Sequence, residues 1–203
     1  MPYNLDIPGW MPEPELKILE RLARLIPPGG AMLEVGPFCG RSSWCWSKSA
    51  HPDVTITCVD IWDPSEHPYT PPTLVDPDAV AGQDFGKTDH DKGNWGTREN
   101  FERYTRDCLN IIALQGHSPD DFTHWPLDSL DLVFLDGIHH NPGFHADVVH
   151  WYARVKPGGI LCGDDCARTH PDVLWTIDDF CKDLSIPFTV ERRIWMLRKP
   201  NAD

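Results

Sequence analysis

Between residues 131 and 165 the chain reads DLVFLD, then the polar turn GIHHNP, then a helical-period stretch from about Gly143 to Val155. Lys156-Pro157-Gly158-Gly159 follows, and the segment closes with GILCGDD. Both apolar runs lack the alternation of a half-exposed strand, so each reads as a strand buried on both faces. The stretch between them places Phe144, Val148, Trp151, Tyr152 and Val155 on one side of a helix. Two buried strands joined through a helix lie parallel, because the crossover carries the chain back across the sheet. This single unit commits the chain to a parallel sheet with helices on its faces.

The same alternation recurs on either side. Residues 13–26 put Leu16, Leu19, Leu22, Ala23 and Ile26 on one helical face, and Pro27-Pro28-Gly29-Gly30 stops that helix. AMLEV (31–35), the β-branched VTITCVD (54–60) and NIIALQ (110–115) are expected strands. Helices are expected over about 41–50, from a Thr97 cap to Cys108, and over 172–184, with late strands near 187–191 and 193–198. At 203 residues the chain is long enough for one core and short for two, so a single domain over 1–203 is expected.

Residues 62–96 break the rhythm. They are rich in Pro, Asp, Gly and His, and they leave the end of the second strand. A loop of this length is functional or disordered. Trp62, Tyr69, Phe85 and Trp95 favour a lid or substrate-binding loop over an ordinary disordered insertion.

A net charge of -13 with no basic stripe excludes nucleic acid as substrate and fits a small molecule better. No apolar run reaches bilayer length, and MPYNLDIPGW has no basic n-region, so a cytoplasmic location without membrane contact is expected. The seven cysteines, among them Cys58, Cys162 and Cys181 in apolar runs, suit buried reduced thiols. A homodimer is the oligomeric state to look for in an enzyme of this size.

Ligands of open α/β sheets bind outside the carboxyl ends of the strands, so the polar residues there carry the chemistry. Gly36 and Gly40 let the chain turn tightly after the first strand and expose the N–H groups of the next helix. Phe38 stands where a G-x-G-x-x-G turn has its middle glycine, which weighs against dinucleotide binding. Asp60, ending the second strand, has the spacing of a ribose-binding acid. Asp136, Asp164 and Asp165 end the fourth and fifth strands. Carboxylates gathered at one edge call for a cation, and an all-oxygen set favours Mg2+, with Mn2+ or Ca2+ as alternatives. Two other assignments stay open at this point. Asp164 and Asp165 could cap the following turn, and Cys162, Cys166 and the histidine pair could hold zinc.

LEVGPFCGRSSWCWSKSA, TCVDIW and above all residues 131–165 resemble class I S-adenosylmethionine (SAM)-dependent methyltransferases. The nearest likeness is the small Methyltransferase-24-type branch, related to the macrocin O-methyltransferase and cephalosporin-biosynthesis methyltransferase groups. Its pattern is met by Asp136-Gly137, His139, Asp147, Trp151, Lys156-Pro157-Gly158-Gly159 and Asp164-Asp165. The resemblance implies a Rossmann-like α/β fold: a seven-stranded, mostly parallel sheet of order 3-2-1-4-5-7-6 with an antiparallel last strand.

It further implies that Glu34, Gly36, Gly40 and Ser42 surround the methionine part of SAM and that Asp60 holds the ribose. Trp62 would lie beside the ribose or adenine, and Gln115, His117 and Ser118 would border the adenine, with Asp136 also at the cofactor. Asp136, Asp164 and Asp165 match the Mg2+ ligands of the metal-dependent relatives. Some of those relatives carry a second Asp as general base where this chain has Ile138, so the base role falls to His139, then to His140. The implied activity is metal-assisted O-methylation of a sugar, vicinal diol or catechol-like hydroxyl. The alternatives are a metal-free or non-catalytic SAM-binding protein, or a dinucleotide-dependent oxidoreductase.

Overall fold

The computed structural model describes residues 2–63 and 96–201. In chain order its elements are α1 (Glu13–Ala23), β1 (Ala31–Val35), α2 (Arg41–Ser49), β2 (Thr55–Asp60), α3 (Arg98–Thr105) and β3 (Ile111–Gln115). Then follow β4 (Leu130–Leu135), α4 (Gly143–Arg154), β5 (Val155–Gly163), α5 (Pro171–Leu184), β6 (Phe188–Glu191) and β7 (Ile194–Arg198). The seven strands form one sheet in the order β3-β2-β1-β4-β5-β7-β6, as expected. β1 pairs in parallel with β2 and β4, β2 with β3, and β4 with β5, while β7 is antiparallel to both β5 and β6.

The apolar runs have no alternation because both faces of the sheet are covered. Met32, Leu132, Phe134, Ile160 and Cys162 pack on one side with Leu16, Leu19 and Trp46 of α1 and α2. Leu33, Val35, Val133, Leu135 and Leu161 pack on the other with Val148, Trp151, Val173 and Ile177 of α4 and α5. All seven cysteines are buried and free, in keeping with reduced thiols. Among the described residues no helix is long and apolar enough to cross a membrane.

Element ends differ from expectation where local chemistry overrides period. α1 stops at Ala23 rather than Ile26, because a residue before proline is pushed out of the helical region; Ile26 is buried all the same through a turn. α3 starts on the expected Thr97 cap, whose side chain accepts from Asn100 N, but ends at Thr105 rather than Cys108. Thr105 Oγ1 bonds back to Phe101 O at 2.7 Å and the chain turns there. Lys156-Pro157-Gly158-Gly159 is not a loop between helix and strand, as expected, but the first part of β5. The register against β4 shifts between Leu130 and Leu132, an irregularity that Pro and Gly accommodate. The expected lid at 62–96, with Tyr69, Phe85 and Trp95, falls outside the described residues apart from its ends.

Candidate active site at the carboxyl edge of the sheet

The backbone ladder continues one residue past each strand. Gly36 N donates to Val59 O, Asp136 N to Val35 O, Gly116 N to Asp60 O and Asp164 N to Leu135 O, at 2.9–3.2 Å. The strand ends are thereby aligned, and the loops leave from one edge. Gly36 has φ +82, and a Cβ there would stand 2.3 Å from Asp136 O and 2.5 Å from Gly137 Cα. Only glycine lets the exit of β1 cross the exit of β4 this closely. Gly40, with φ +94, starts α2 under an equally close approach from Thr105.

Between the two glycines Phe38 takes φ +52 and donates its N–H to Asp60 Oδ2 at 3.1 Å. The other Asp60 oxygen accepts Trp62 N at 2.9 Å. With one oxygen on Phe38 N and the other on Trp62 N, Asp60 braces the turn at the end of β2. Beside it, Ile61, Asp63, Gln115, Gly116 and His117 line a depression of about 170 Å³. Gln115 Nε2 is tied to Ile61 O at 2.8 Å, and His117 N to Asp121 Oδ2 at 2.8 Å.

Other expected cofactor residues lie one layer beneath this surface. Glu34 is 1% exposed; its Oε2 accepts from Ser43 Oγ and stands 3.5 Å from the Cys58 thiol. Burial pushes its pKa up, against hydrogen bonds that include one from the buried Ser42. Trp62, 4% exposed, turns its ring inward onto Phe101 at 4.8 Å and donates Nε1 to Phe38 O. Ser118 donates to Asp147 Oδ1 and accepts Trp151 Nε1 at 2.8 Å. The inward Asp and Trp of α4 therefore hold the loop after β3 from below. Asp147 is 2% exposed, and burial pushes its pKa up to about 6 although the hydrogen bond from Ser118 acts to lower it.

One support has no obvious signal in the sequence. Arg41, 7% exposed, donates Nε to Ile7 O, Nη1 to Met11 O and Nη2 to Leu5 O, at 2.7–3.3 Å. It straps residues 5–11 across the glycine turn, with Trp10 4.8 Å from Phe38.

Among the carboxylates, the structure draws together Asp136, His139 and Asp165, each offering a ligand atom within 4.8 Å of the others. Asp165 has φ +61. Its Oδ2 stands 3.2 Å from His139 Nε2 and its Oδ1 3.4 Å from His170 Nδ1; the two imidazole rings are 5.2 Å apart. Asp164, expected beside them as a ligand, is engaged elsewhere. Its Oδ1 accepts Asp165 N at 2.7 Å and its Oδ2 accepts Arg193 Nη2 at 2.9 Å.

Arg193 also stands 3.3 Å from Asp165 Oδ1 and 3.6 Å from Glu15 Oε1 of α1. Burial, then repulsion from Asp164 and Asp165, holds Asp136 well above the usual carboxylate range. Burial and the neighbouring Asp164 push Glu15 up to about 7. Burial pushes His139 down to about 4, outweighing Asp165. Two carboxylates and a neutral imidazole at these separations form a donor set suited to a divalent cation.

His140 stands apart, Nδ1 3.8 Å from Asp172 Oδ2, with its side chain 41% exposed. Cys162 and Cys166 take no part in the donor group; the Cys162 thiol donates to Val133 O inside the sheet. His170, Arg193, Glu15 and Asp172 come to this edge from loops and from the chain ends, where spacing gave no warning.

A profile of the family described as a methyltransferase domain matches residues 33–166. No curated protein matches the chain in sequence. Solved structures resemble it in fold. A protein from Corynebacterium glutamicum has a TM-score of 0.65 at 14% identity, covering 97% of this chain and 85% of its own. The O-methyltransferase NovP has a TM-score of 0.65 at 19% identity, covering 92% and 79%. The O-methyltransferase TomG from Streptomyces achromogenes, involved in tomaymycin synthesis and in complex with SAM, has a TM-score of 0.61 at 16% identity, covering 95% and 82%.

Proposed function

This chain belongs to the methyltransferase-domain family, and on that premise we propose that it transfers the methyl group of SAM to a hydroxyl oxygen of a small molecule, assisted by a divalent cation. The observation that carries the proposal is the Asp136–His139–Asp165 group standing on the same sheet edge as the Gly36–Gly40 turn and Asp60. Two fold neighbours named as O-methyltransferases support oxygen as the acceptor atom.

In this scheme the Gly36–Gly40 turn and the start of α2 receive the methionine part of SAM, while Glu34, Ser42 and Trp62 prop the turn from below. Asp60 accepts the ribose hydroxyls. Gln115, His117 and the backbone at Ser118 border the adenine, in the depression beside Ile61. Asp136, whose backbone Gly36 crosses closely, would stand between cofactor and acceptor.

Asp136, His139 and Asp165 would hold the cation, which supplies Lewis acidity that lowers the pKa of an acceptor hydroxyl and orients neighbouring oxygens. A sugar, vicinal diol or catechol-like acceptor fits that role. His139 Nε2 is directed at Asp165 within the cation group, so the proton-accepting role passes to the second histidine of the pair, His140, whose side chain is 41% exposed at the same edge. We read 1–203 as one methyltransferase domain with 62–96 on the substrate side, which its departure from β2 supports.

Calorimetry with S-adenosylhomocysteine and with NAD tests the core of the proposal. The expected result is binding of the first only, weakened roughly 10- to 100-fold by Asp60→Ala, as expected for a charged hydrogen-bonding group lost from ribose. Binding of NAD without S-adenosylhomocysteine would overturn it.

A further inference from the structure

We infer that the cation site of this chain is a mixed nitrogen–oxygen site, with His139 as an imidazole ligand and His170 in reach as a second, and that it takes a d-block divalent ion in preference to Mg2+. The inference rests on the cation assistance proposed above and names the class of ion.

Three observations lead to it. First, the donor atoms that converge are two carboxylates and one imidazole, within 4.8 Å of one another. Ligand atoms about 2.0–2.2 Å from an ion stand up to about 4.4 Å apart, so the group needs to close by only a few tenths of an ångström. Second, the third carboxylate is drawn away. Asp164 Oδ2 meets the Arg193 guanidinium at 2.9 Å and its Oδ1 accepts Asp165 N at 2.7 Å, and its oxygens are not among the ligand atoms that converge. Without it the set is not the all-oxygen cage that suits Mg2+.

Third, the imidazoles flank one carboxylate. Asp165 Oδ2 faces His139 Nε2 at 3.2 Å and Asp165 Oδ1 faces His170 Nδ1 at 3.4 Å. His170 sits at the start of α5 with its ring 5.2 Å from that of His139, facing the other oxygen of the Asp165 carboxylate. An ion entering beside Asp165 therefore meets nitrogen as well as oxygen. Imidazole nitrogen is a poor ligand for Mg2+, which dehydrates reluctantly and prefers oxygen. It binds Mn2+, Co2+, Ni2+ and Zn2+ with affinity rising along the series to Cu2+ and falling back at Zn2+.

The test uses chelator-treated full-length protein titrated with Co2+ and, separately, with Mg2+, with the visible Co2+ spectrum and calorimetry as readouts. Mn2+ bound to the same protein gives a pulsed-EPR signature of a coordinated nitrogen. The expected result is Co2+ affinity at least about 100-fold above that for Mg2+. His139→Gln should lose the nitrogen signature and lower the Co2+ to Mg2+ preference by about tenfold or more, with S-adenosylhomocysteine binding retained as evidence of folding. His170→Gln, set back from the group and outside the glycine turn, gives a second variant should the first fold poorly; it is expected to shift the Co2+ spectrum.

A nitrogen signature unchanged in both variants, or Mg2+ binding as tightly as Co2+ in the parent, would overturn this inference and leave cation assistance standing. Failure of every ion to bind would overturn both, while S-adenosylhomocysteine binding would still report on methyl transfer.

Discussion

Replacing Asp147 by Asn should make the protein more stable at neutral pH and leave its stability at acid pH nearly unchanged. Asp147 is 2% exposed, and burial raises its pKa to about 6. In the unfolded chain an aspartate titrates near 3.9, so the native state binds this proton about two pH units more tightly. The stability gained from that proton is fully present below about pH 4 and is lost as pH rises through about 6.

Each unit is worth about 1.4 kcal/mol, so ionised Asp147 sets the fold back by about 3 kcal/mol at pH 7.5 relative to its protonated form. An asparagine stays neutral throughout, and its Oδ1 can still accept the Ser118 hydroxyl. Urea unfolding of parent and Asp147→Asn at intervals from pH 4.5 to 8 provides the assay. The difference in unfolding free energy is expected to grow by about 2 kcal/mol across that range in favour of the variant. A difference that stays flat with pH, or a variant less stable at pH 7.5, would refute the claim that this carboxylate is buried without a compensating charge.

Gly36→Ala combines φ +82 with a Cβ 2.3 Å from Asp136 O, and is expected to lower stability by about 2–4 kcal/mol, read as a lower Tm with weakened S-adenosylhomocysteine binding. An alanine variant with parental Tm would show that β1 and β4 can part there without penalty. Arg193→Gln leaves Glu15, Asp164 and Asp165 without their shared cation. Since the guanidinium is partly exposed, a loss of about 1–3 kcal/mol in chelator is expected, partly restored by Mn2+; identical losses with and without the ion would count against a cation at this edge.

The sheet order and the two helical layers were legible because burial on both faces writes continuous apolar runs, as in LVFL and GILCG, and helix crossovers leave one parallel solution. Gly36, Gly40 and Asp60 were legible for a related reason: a strand end has a fixed place in such a sheet. Side-chain direction beyond the strand end was not. Trp62 carries φ +41, which turns its ring onto Phe101 instead of outward. Asp164 and Asp165 are neighbours in sequence, yet the left-handed backbone at Asp165 sends one carboxylate to Arg193 and the other to His139 and His170. Helix ends were misplaced where a proline or a threonine back-bond cut the period short, at Ala23 and Thr105. Lys156-Pro157-Gly158-Gly159 looked like a turn by composition and lies inside β5, as the irregular stretch between Val155 and Ile160, which pair with Leu130 and Leu132 of β4.

The Arg193 contact places the two ends of the chain in the same electrostatic unit. Its partners are Glu15 on the first helix and the aspartate pair at the tip of β5, and it rides on the hairpin between β6 and β7. The stretch that matches the family, 33–166, holds Asp136, His139 and both aspartates but neither Glu15 nor Arg193. Grafting that stretch alone into a relative would carry the proposed donors across and leave behind the guanidinium that offsets their charge, together with the Glu15 carboxylate that shares it. The tuning of the site is thus separable from its motif, and engineering either end offers a way to adjust the field at the carboxyl edge without changing a donor.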